Sequence, residues 1–166
     1  MNRKNTNIAI LLSIIVVAIF ITLGFFGLGG FNFTSSATTP MEDILSELRE
    51  TGTVADLRFS DTVEGAGDPV AVGDTLTVDY VGALPDGTVF DSSRERGVPF
   101  SFTIGEGRVI QGWERGLIGM KEGGRRLLII PPSLGYGATG IGSIPPNATL
   151  IFEVELLDRV SVEPAE

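Results

Sequence analysis

Residues 75–93 read TLTVDYVGALPDGTVFDSS and combine a strand pattern with a turn signal. Leu76, Val78 and Tyr80 alternate with polar residues, which is the period-two pattern of a strand with one buried face. The PDG triplet at residues 85–87 indicates a tight turn, because Pro presets its own φ and Gly accepts a positive one. The stretch therefore predicts two antiparallel strands joined as a hairpin.

Further segments of the chain have a strand pattern. Inward apolar positions are expected at Phe100, Phe102 and Ile104 and, near the carboxyl end, at Leu150, Phe152, Val154 and Leu156. Residues 126–130 form another strand-like apolar run. The opposite face of the last strand carries Thr149, Glu153 and Glu155. We therefore predict an antiparallel sheet with one face in water.

One short helix is expected to pack across this sheet. Ile110, Trp113 and Leu117 lie at positions i, i+3 and i+7, which places them on one helical face. Glycines on both sides limit this helix to about two turns. Taken alone, Trp113 is expected to be an ordinary core residue, because large aromatic side chains are mostly buried.

The amino-terminal segment has the features of a membrane anchor. Residues 8–31 carry no charge, and as a helix they would span about 36 Å, more than the roughly 30 Å hydrocarbon core of a bilayer. Arg3 and Lys4 precede this run, so residues 1–7 are expected in the cytoplasm. We predict a single-pass signal-anchor helix in the cell membrane and an extracytoplasmic domain. The alternative is a signal peptide cleaved near residues 35–37, which would leave the domain secreted or periplasmic.

Two short segments separate this run from the first strand. Residues 32–39 are small and polar, which is typical of a flexible linker. Residues 40–51 begin with a capping box and continue with apolar residues at helical spacing, which predicts a short amphipathic helix. We expect its stripe to dock on the domain, with self-pairing or membrane contact as the alternatives. Residues 161–166 are assigned to a carboxyl-terminal tail.

Composition excludes several classes of chemistry. The 166-residue chain has no Cys and no His, which removes disulfides, the usual zinc ligands and the Ser-His-Asp triad. Its formal net charge of −9 opposes binding to phosphate backbones, so nucleic acid is not an expected partner. Residues 135–140 fit the G-x-G-x-x-G pattern, but the prolines at residues 145–146 exclude the helix of a dinucleotide site. We expect neither a cofactor nor a metal.

Three blocks follow one another along the chain: VDYVG with GTVFDSS at residues 78–82 and 87–93, VIQGW at residues 109–113, and YGATG with IPP at residues 136–140 and 144–146. Taken together and in this order, they resemble the FKBP family of peptidyl-prolyl cis–trans isomerases. The resemblance covers residues 56–158, and we assign residues 54–160 to the domain. It implies an α+β fold in which a strongly bent antiparallel β-sheet is wrapped around one short α-helix.

The resemblance also implies a proline pocket that accelerates rotation about X-Pro bonds. The substrate ring would lie on the Trp113 indole, surrounded by Tyr80, Phe90, Phe100, Val109, Ile110, Tyr136, Ile144 and Phe152. In the family, the N–H matching Ile110 and the phenol matching Tyr136 hold carbonyl groups, and the carboxylate matching Asp91 lies beside the twisting amide. Phe90, Asp91 and Tyr136 are thus the predicted catalytic residues, and the others are predicted to bind substrate.

The expected partners are proline-containing segments of unfolded or partner proteins, the membrane through the amino-terminal helix, and macrolide FKBP inhibitors. Two other classes of function stay open. A non-catalytic module could use the same groove to dock proline-containing segments, and a structural envelope domain would use only the anchor and the acidic surface. The chain also has Ile141 where some family members carry His, which leaves substrate preference open.

Overall fold

The computed structural model describes Ile44, Glu47, Leu48 and residues 50–161. Several predicted parts lie outside the described residues, namely the cytoplasmic segment 1–7, the membrane helix 8–31, the linker 32–39 and the tail after Ser161. Across the described residues, no helix combines the length and the apolar character needed to span a bilayer.

Six strands form one antiparallel sheet. They are β1 Arg58–Val63, β2 Thr75–Ala83, β3 Val89–Ser92, β4 Phe100–Thr103, β5 Arg125–Ile130 and β6 Leu150–Val160. The order across the sheet is β1-β5-β6-β2-β3, and β4 also pairs with β2. Every neighbouring pair is antiparallel, which confirms the predicted sheet.

Strand β2 connects most of the sheet. One of its edges pairs with β6 along its whole length. The other edge is shared, because Val78 lies opposite Phe100 of β4 and Gly82 lies opposite Asp91 of β3. Register shifts after Thr77 and after Gly82 mark irregularities of the bulge type, which bend a strand locally. Tyr80 therefore lies in the middle of β2, between the parts that β4 and β3 cover.

The predicted hairpin between β2 and β3 is confirmed. The Leu84 N–H donates to the Thr88 carbonyl over 2.9 Å, and the Gly87 N–H donates to the Leu84 carbonyl over 2.9 Å. The Asp86 carboxylate accepts the Thr88 N–H over 2.9 Å. Gly87 has a φ of 85°, the left-handed conformation that the turn requires of it.

Two short α-helices follow β3 and β4. The predicted helix is α2 Gln111–Gly116, whereas α1 Ser93–Arg96 was not expected. Helix α1 begins after Ser92, whose side chain accepts the Glu95 N–H over 3.2 Å. Residues 92–95 have the S-x-x-E sequence of a capping box, so the sequence did contain a signal for this helix. The sequence predicted a single helix in the domain, and the presence of α1 corrects this prediction.

The main core lies between α2 and the inner face of the sheet. Inward side chains of β2, β5 and β6 are almost fully buried there, including Val78, Leu128 and Val154 at 1%, 0% and 0% exposure. Gly112 allows α2 to approach β5, since a Cβ at this position would lie 2.4 Å from Cγ2 of Ile130. This close approach brings the residue after Gly112 down onto the sheet.

The outer face of the sheet is partly covered rather than fully in water. The described residues between 44 and 51 are helical, and the other positions of the predicted helix at 40–51 lie outside the described residues. Ile44 and Leu48 pack with Val54 and with an apolar cross-strand pair, Ile129 and Ile151. The described part of the predicted stripe, Ile44 and Leu48, thus packs on the domain as expected, and its other positions lie outside the described residues.

Thr149 corrects one prediction about the outer face. It was assigned to the wet side of the last strand but is only 1% exposed. Its hydroxyl donates to the Thr53 hydroxyl over 3.0 Å, which satisfies the buried polar group. The covering segment that ends near Val54 is the reason for this burial, because it places Thr53 against the start of β6.

Candidate active site

Trp113 forms the floor of an aromatic cleft on the inner face of the sheet. It is 4% exposed and projects from α2. Its ring lies 5.1 Å from Tyr80 at 87° and 5.2 Å from Phe152 at 82°. Both contacts are edge-to-face, the arrangement that aromatic quadrupoles favour over face-to-face stacking. The indole is therefore held in one orientation by two strands that lie side by side in the sheet.

Phe90 closes one wall of the cleft and depends on a glycine to do so. Its ring lies 5.5 Å from that of Phe152 at 85°. A Cβ at Gly82 would lie 2.7 Å from the Phe152 ring and 2.8 Å from the Phe90 ring. Gly82 is therefore required by the close approach of the two rings, and any side chain there would push the wall apart.

Phe100 lies at the rim of the cleft. It is 37% exposed, and its ring lies 6.2 Å from Tyr80 and 6.3 Å from Trp113. Phe100 therefore leaves apolar surface uncovered at the mouth of the cleft. Tyr136 is 36% exposed and lies close enough to Asp91 for that charge to raise its pKa, and its hydroxyl has no hydrogen-bond partner within the described chain.

Val109, Ile110 and Ile144 supply the aliphatic part of the site. Val109 and Ile110 are partly buried against the core, whereas Ile144 is 7% exposed and belongs to it. The Ile144 carbonyl accepts the N–H of Ile141 over 3.0 Å, which forms a tight turn with Ile141 exposed at 59%. The sequence position that departs from some family members thus lies in solvent.

The main chain at Ile110 offers a hydrogen-bond donor. Its carbonyl accepts the N–H groups of Trp113 and Glu114 over 2.9 Å and 3.2 Å at the start of α2. Its own N–H makes no hydrogen bond to any described residue. The cleft therefore has two unoccupied donors beside its aromatic floor, the Ile110 N–H and the Tyr136 hydroxyl. In the floor itself, the buried Nε1–H of Trp113 also has no hydrogen-bond partner among the described residues.

A polar group of three side chains lies beside the cleft. The Tyr80 hydroxyl donates to one oxygen of the Asp91 carboxylate, and the Arg96 guanidinium donates to the other. Arg96 also donates to the Tyr80 hydroxyl over 2.9 Å, and its guanidinium lies 5.5 Å from the Tyr80 ring centre. Asp91 is thereby fixed in orientation. Sequence reasoning missed Arg96, because the helix that carries it was itself not expected.

Both tyrosines of the site are neutral donors at neutral pH. Burial raises the pKa of Tyr80, and its hydrogen bond to Asp91 raises it further, against an opposing effect of Arg96. Burial and the nearby charge of Asp91 also raise the pKa of Tyr136. An apolar environment and a negative neighbour both disfavour a phenolate. Each phenol thus keeps the proton that it needs to donate.

The structure brings the predicted residues to one place. Tyr80, Trp113, Ile144 and Phe152 belong to the same buried cluster, and Phe90, Val109 and Ile110 pack against it. Phe100 contacts the cluster through its ring, and Asp91 is linked to it by the hydrogen bond from Tyr80. Tyr136 lies close enough to Asp91 for the carboxylate charge to raise its pKa. Fold and cleft define an α+β domain with a pocket suited to a small apolar ring next to a carbonyl group.

Comparisons with known proteins agree with this class. The family model described as FKBP-type peptidyl-prolyl cis-trans isomerase matches residues 67–157. An FK506-binding protein of Neisseria meningitidis serogroup A is 55% identical over 102 residues, which are 61% of this chain and 94% of that protein. FK506-binding protein 1 of Dictyostelium discoideum is 56% identical over 95 residues, which are 57% and 89% of the two chains. The crystal structure of AtFKBP13 superimposes with a TM-score of 0.60 at 40% identity, covering 65% of this chain and 96% of that one.

The chain belongs to the FKBP-type peptidyl-prolyl cis–trans isomerase family. Its described domain is therefore a peptidyl-prolyl isomerase, and the resemblance read from three sequence blocks is confirmed.

Proposed function

We propose that the aromatic cleft accelerates rotation of X-Pro bonds in folding or partner proteins by binding the twisted amide above Trp113. The observation that supports this most directly is the combination of an apolar, edge-packed floor with two unoccupied donors, the Ile110 N–H and the Tyr136 hydroxyl. A proline ring is apolar and its flanking carbonyls accept hydrogen bonds, so the two parts of the cleft match the two parts of the ligand.

The physical basis is selective binding of the twisted amide. Rotation about an X-Pro bond breaks no covalent bond, and the barrier of about 18–20 kcal/mol reflects loss of amide resonance. The planar amide has more charge separation than the twisted one, so a water-poor cleft stabilises the twisted form relative to the planar form. A thousandfold acceleration needs only about 4 kcal/mol of such selectivity. Neither a nucleophile nor a metal is required for this reaction.

We propose specific roles for the residues at the mouth of the cleft. The Ile110 N–H and the Tyr136 hydroxyl bind substrate carbonyls, because neither donor has a hydrogen-bond partner among the described residues. Asp91 lies beside the twisting amide with a fixed carboxylate, since Tyr80 and Arg96 each hold one of its oxygens. Phe90 forms the wall that keeps water from the amide.

Measured exchange between cis and trans forms of a proline peptide tests this proposal. We expect the wild-type chain to accelerate exchange, and the Phe90→Ala and Asp91→Ala variants to lose most of the effect. Phe59→Ala is the matched control for Phe90→Ala, because Phe59 is a 51% exposed ring on β1 outside the cleft. No acceleration by wild-type protein that still binds the peptide would instead support the non-catalytic docking module.

We also propose that the cleft binds macrolides of the FK506 type. This rests on the names of the relatives, FK506-binding protein and FK506-binding protein 1, and on the aromatic cleft itself. Trp113 is the single tryptophan of the chain, so its fluorescence reports on ligands at the floor. FK506 should change that fluorescence and compete with a proline peptide. A fluorescence change without competition would place the macrolide elsewhere.

For location, we propose that residues 8–31 anchor the chain in the cell membrane with the isomerase domain outside the cytoplasm. Support comes from the charge-free run and the preceding Arg3 and Lys4. The test is recovery of the chain with membranes after a high-salt wash, combined with access of external protease to the domain. Release of a chain shortened near residues 35–37 would favour the cleaved signal peptide.

A further inference from the structure

Glu114 is a buried carboxylate whose partners are main-chain groups of one loop. It is 8% exposed and lies next to Trp113 in α2. One of its oxygens accepts the Gly105 N–H over 2.6 Å, and the other accepts the Gly107 N–H over 2.9 Å. Among the described residues, none forms a salt bridge with it. A buried carboxyl group held by two main-chain N–H donors and by no described cation is uncommon, because burial removes its hydration.

The loop of residues 105–110 has few other attachments. Within the described chain, the only main-chain N–H groups of this loop that donate hydrogen bonds are those of Gly105 and Gly107. Both glycines have left-handed φ values, 96° and 68°, so the backbone here follows a path that ordinary residues avoid. The Ile110 carbonyl is held by the N–H groups of Trp113 and Glu114 at the start of α2, and the Glu114 carboxylate is the main polar restraint on the rest of the loop, residues 105–109.

The far end of this loop is a wall of the cleft. Val109 and Ile110 are its last residues, and Ile110 provides one of the two unoccupied donors. Because Glu114 belongs to the same short helix as Trp113, the carboxylate ties the wall and the floor to one rigid element. A shift of the loop would move the Ile110 N–H relative to the indole.

We infer that Glu114 is a positioning residue for isomerisation, which fixes the Ile110 N–H above Trp113 through its two hydrogen bonds to the loop. The inference rests on the proposed role of the Ile110 N–H in binding a substrate carbonyl. Glu114 itself touches no substrate. Its effect passes through residues 105–110, whose position decides whether carbonyl and proline ring can be bound at once.

Glu114→Gln tests the inference in the full chain. The amide keeps the shape of the side chain but replaces one acceptor oxygen with a donor, so it can hold only one of the two N–H groups. We expect kcat/KM for a proline peptide to fall about 10-fold, since misplacing a binding contact by 1 Å can cost about 100-fold. Most of the loss should appear in KM, because the Ile110 donor acts on the planar amide as well as the twisted one. Main-chain hydrogen exchange at Gly105 and Gly107 should become faster.

Glu106→Gln is the matched control. It makes the same chemical change in the same loop, but the Glu106 side chain is 49% exposed and pairs with Arg108 over 3.1 Å. Its kcat/KM should equal that of wild type. A Glu114→Gln variant that unfolds at lower temperature yet keeps wild-type kcat/KM and KM while folded would overturn the inference, because the role would then be stability alone.

Failure of this inference about Glu114 can be distinguished from failure of the proposed isomerase mechanism. A wild-type chain that does not accelerate exchange would count against the proposed function itself. The affinity for the proline peptide, measured by Trp113 fluorescence, would then decide whether Glu114 is a positioning residue. Affinity weakened about fivefold or more in Glu114→Gln would support a positioning role, and unchanged affinity would overturn it.

Discussion

Two neighbouring residues of β6 show how differently this sheet uses its two faces. Phe152 points inward and is 4% exposed, in contact with Trp113 and Phe90. Ile151 points outward, opposite Ile129 of β5, and is covered by the helical residues around Leu48. Both faces therefore bury apolar side chains next to each other along the same strand, and the aromatic cleft lies on the inner face.

The difference lies in the shape of the side chains and in what covers them. Branched aliphatic groups on the outer face pack against a helical segment and close the surface. On the inner face, the Trp113 ring meets those of Tyr80, Phe100 and Phe152 edge to face. Phe100 and Tyr136 keep more than a third of their surface in solvent, at 37% and 36%. Apolar surface that stays exposed in the free protein can be buried by a ligand, at roughly 25 cal/mol per Å². The function follows from incomplete packing on one face.

Truncating the inner face should have the largest effect. Phe152→Ala removes a buried ring, which costs about 4 kcal/mol of unfolding free energy for a side chain of this kind. The same change removes the neighbour that orients Trp113 and Phe90, so isomerase activity should be lost even in the folded fraction. Urea denaturation followed by peptide exchange at low temperature measures both. A folded variant with full activity would show that the rings do not act as a unit.

Truncating the outer face should separate stability from activity. Ile129→Ala leaves a cavity under the helical segment and should cost about 3 kcal/mol, within the usual range for this substitution. Because Ile129 lies on the face opposite the cleft, kcat/KM should match wild type at temperatures where the variant is folded. If activity fell together with stability, the two faces of the sheet would have to be coupled rather than independent.

Removing Arg96 should have the reverse pattern, with a change in activity and little change in stability. Its salt bridge to Asp91 is solvent-accessible, with side-chain exposures of 48% and 43%, so the pair adds little to folding. Arg96→Gln frees the Asp91 carboxylate and the Tyr80 hydroxyl, and we expect kcat/KM to fall about 10-fold, as for loss of an orienting partner. The melting temperature and the exchange rate, measured side by side, test this.

Arg94→Gln is the control for Arg96→Gln. Arg94 belongs to the same helix but pairs with Glu155 over 2.6 Å, away from Asp91. Its substitution should leave the exchange rate unchanged. Equal losses in the two variants would mean that helix α1 as a whole matters, and not the restraint on Asp91.

Local patterns explain how much of the fold was predictable. The alternation in residues 75–81 and the PDG triplet specify a strand and a turn through neighbouring residues, so the hairpin and the inward face of β2 could be read directly. The helix with Trp113 followed from spacing alone. The function of the site could not be predicted from spacing, because an inward Trp has the same pattern in any core. Only the resemblance of the sequence blocks to a known family indicated a function for Trp113.

Polar partners that are distant in sequence account for what was missed. Asp74 is 4% exposed and accepts hydrogen bonds from Ala71 and from Arg159, a residue 85 positions away. Arg126, read as the start of an apolar run, is 3% exposed and donates to Asp61 across 65 positions. Such pairs carry no local signal. Thr149 was misplaced for the same reason, since its cover comes from the segment near Thr53.

The smallest expected effect is that of pH on activity. The chain has no His and no Cys, so no side chain with an ordinary pKa near neutrality can titrate in the cleft. The phenols of the site are Tyr136, a proposed donor to substrate, and Tyr80, which donates to Asp91. Burial and Asp91 raise both pKa values, so the protonated forms persist to higher pH than usual. Activity that depends on the protonated form should therefore be lost only above about pH 10. Between about pH 6 and about pH 9, kcat/KM should change less than about twofold.

A pH profile of exchange in wild type and in Tyr136→Phe measures this. Tyr136→Phe should lower the plateau, because it removes one donor, without adding an inflection to the neutral range. An inflection near pH 7 in wild type would contradict the assignment, since it would require a titrating group other than the two phenols. The outer face provides the internal reference: Ile129→Ala should reproduce the wild-type profile at every pH where it stays folded, because it alters no donor of the cleft.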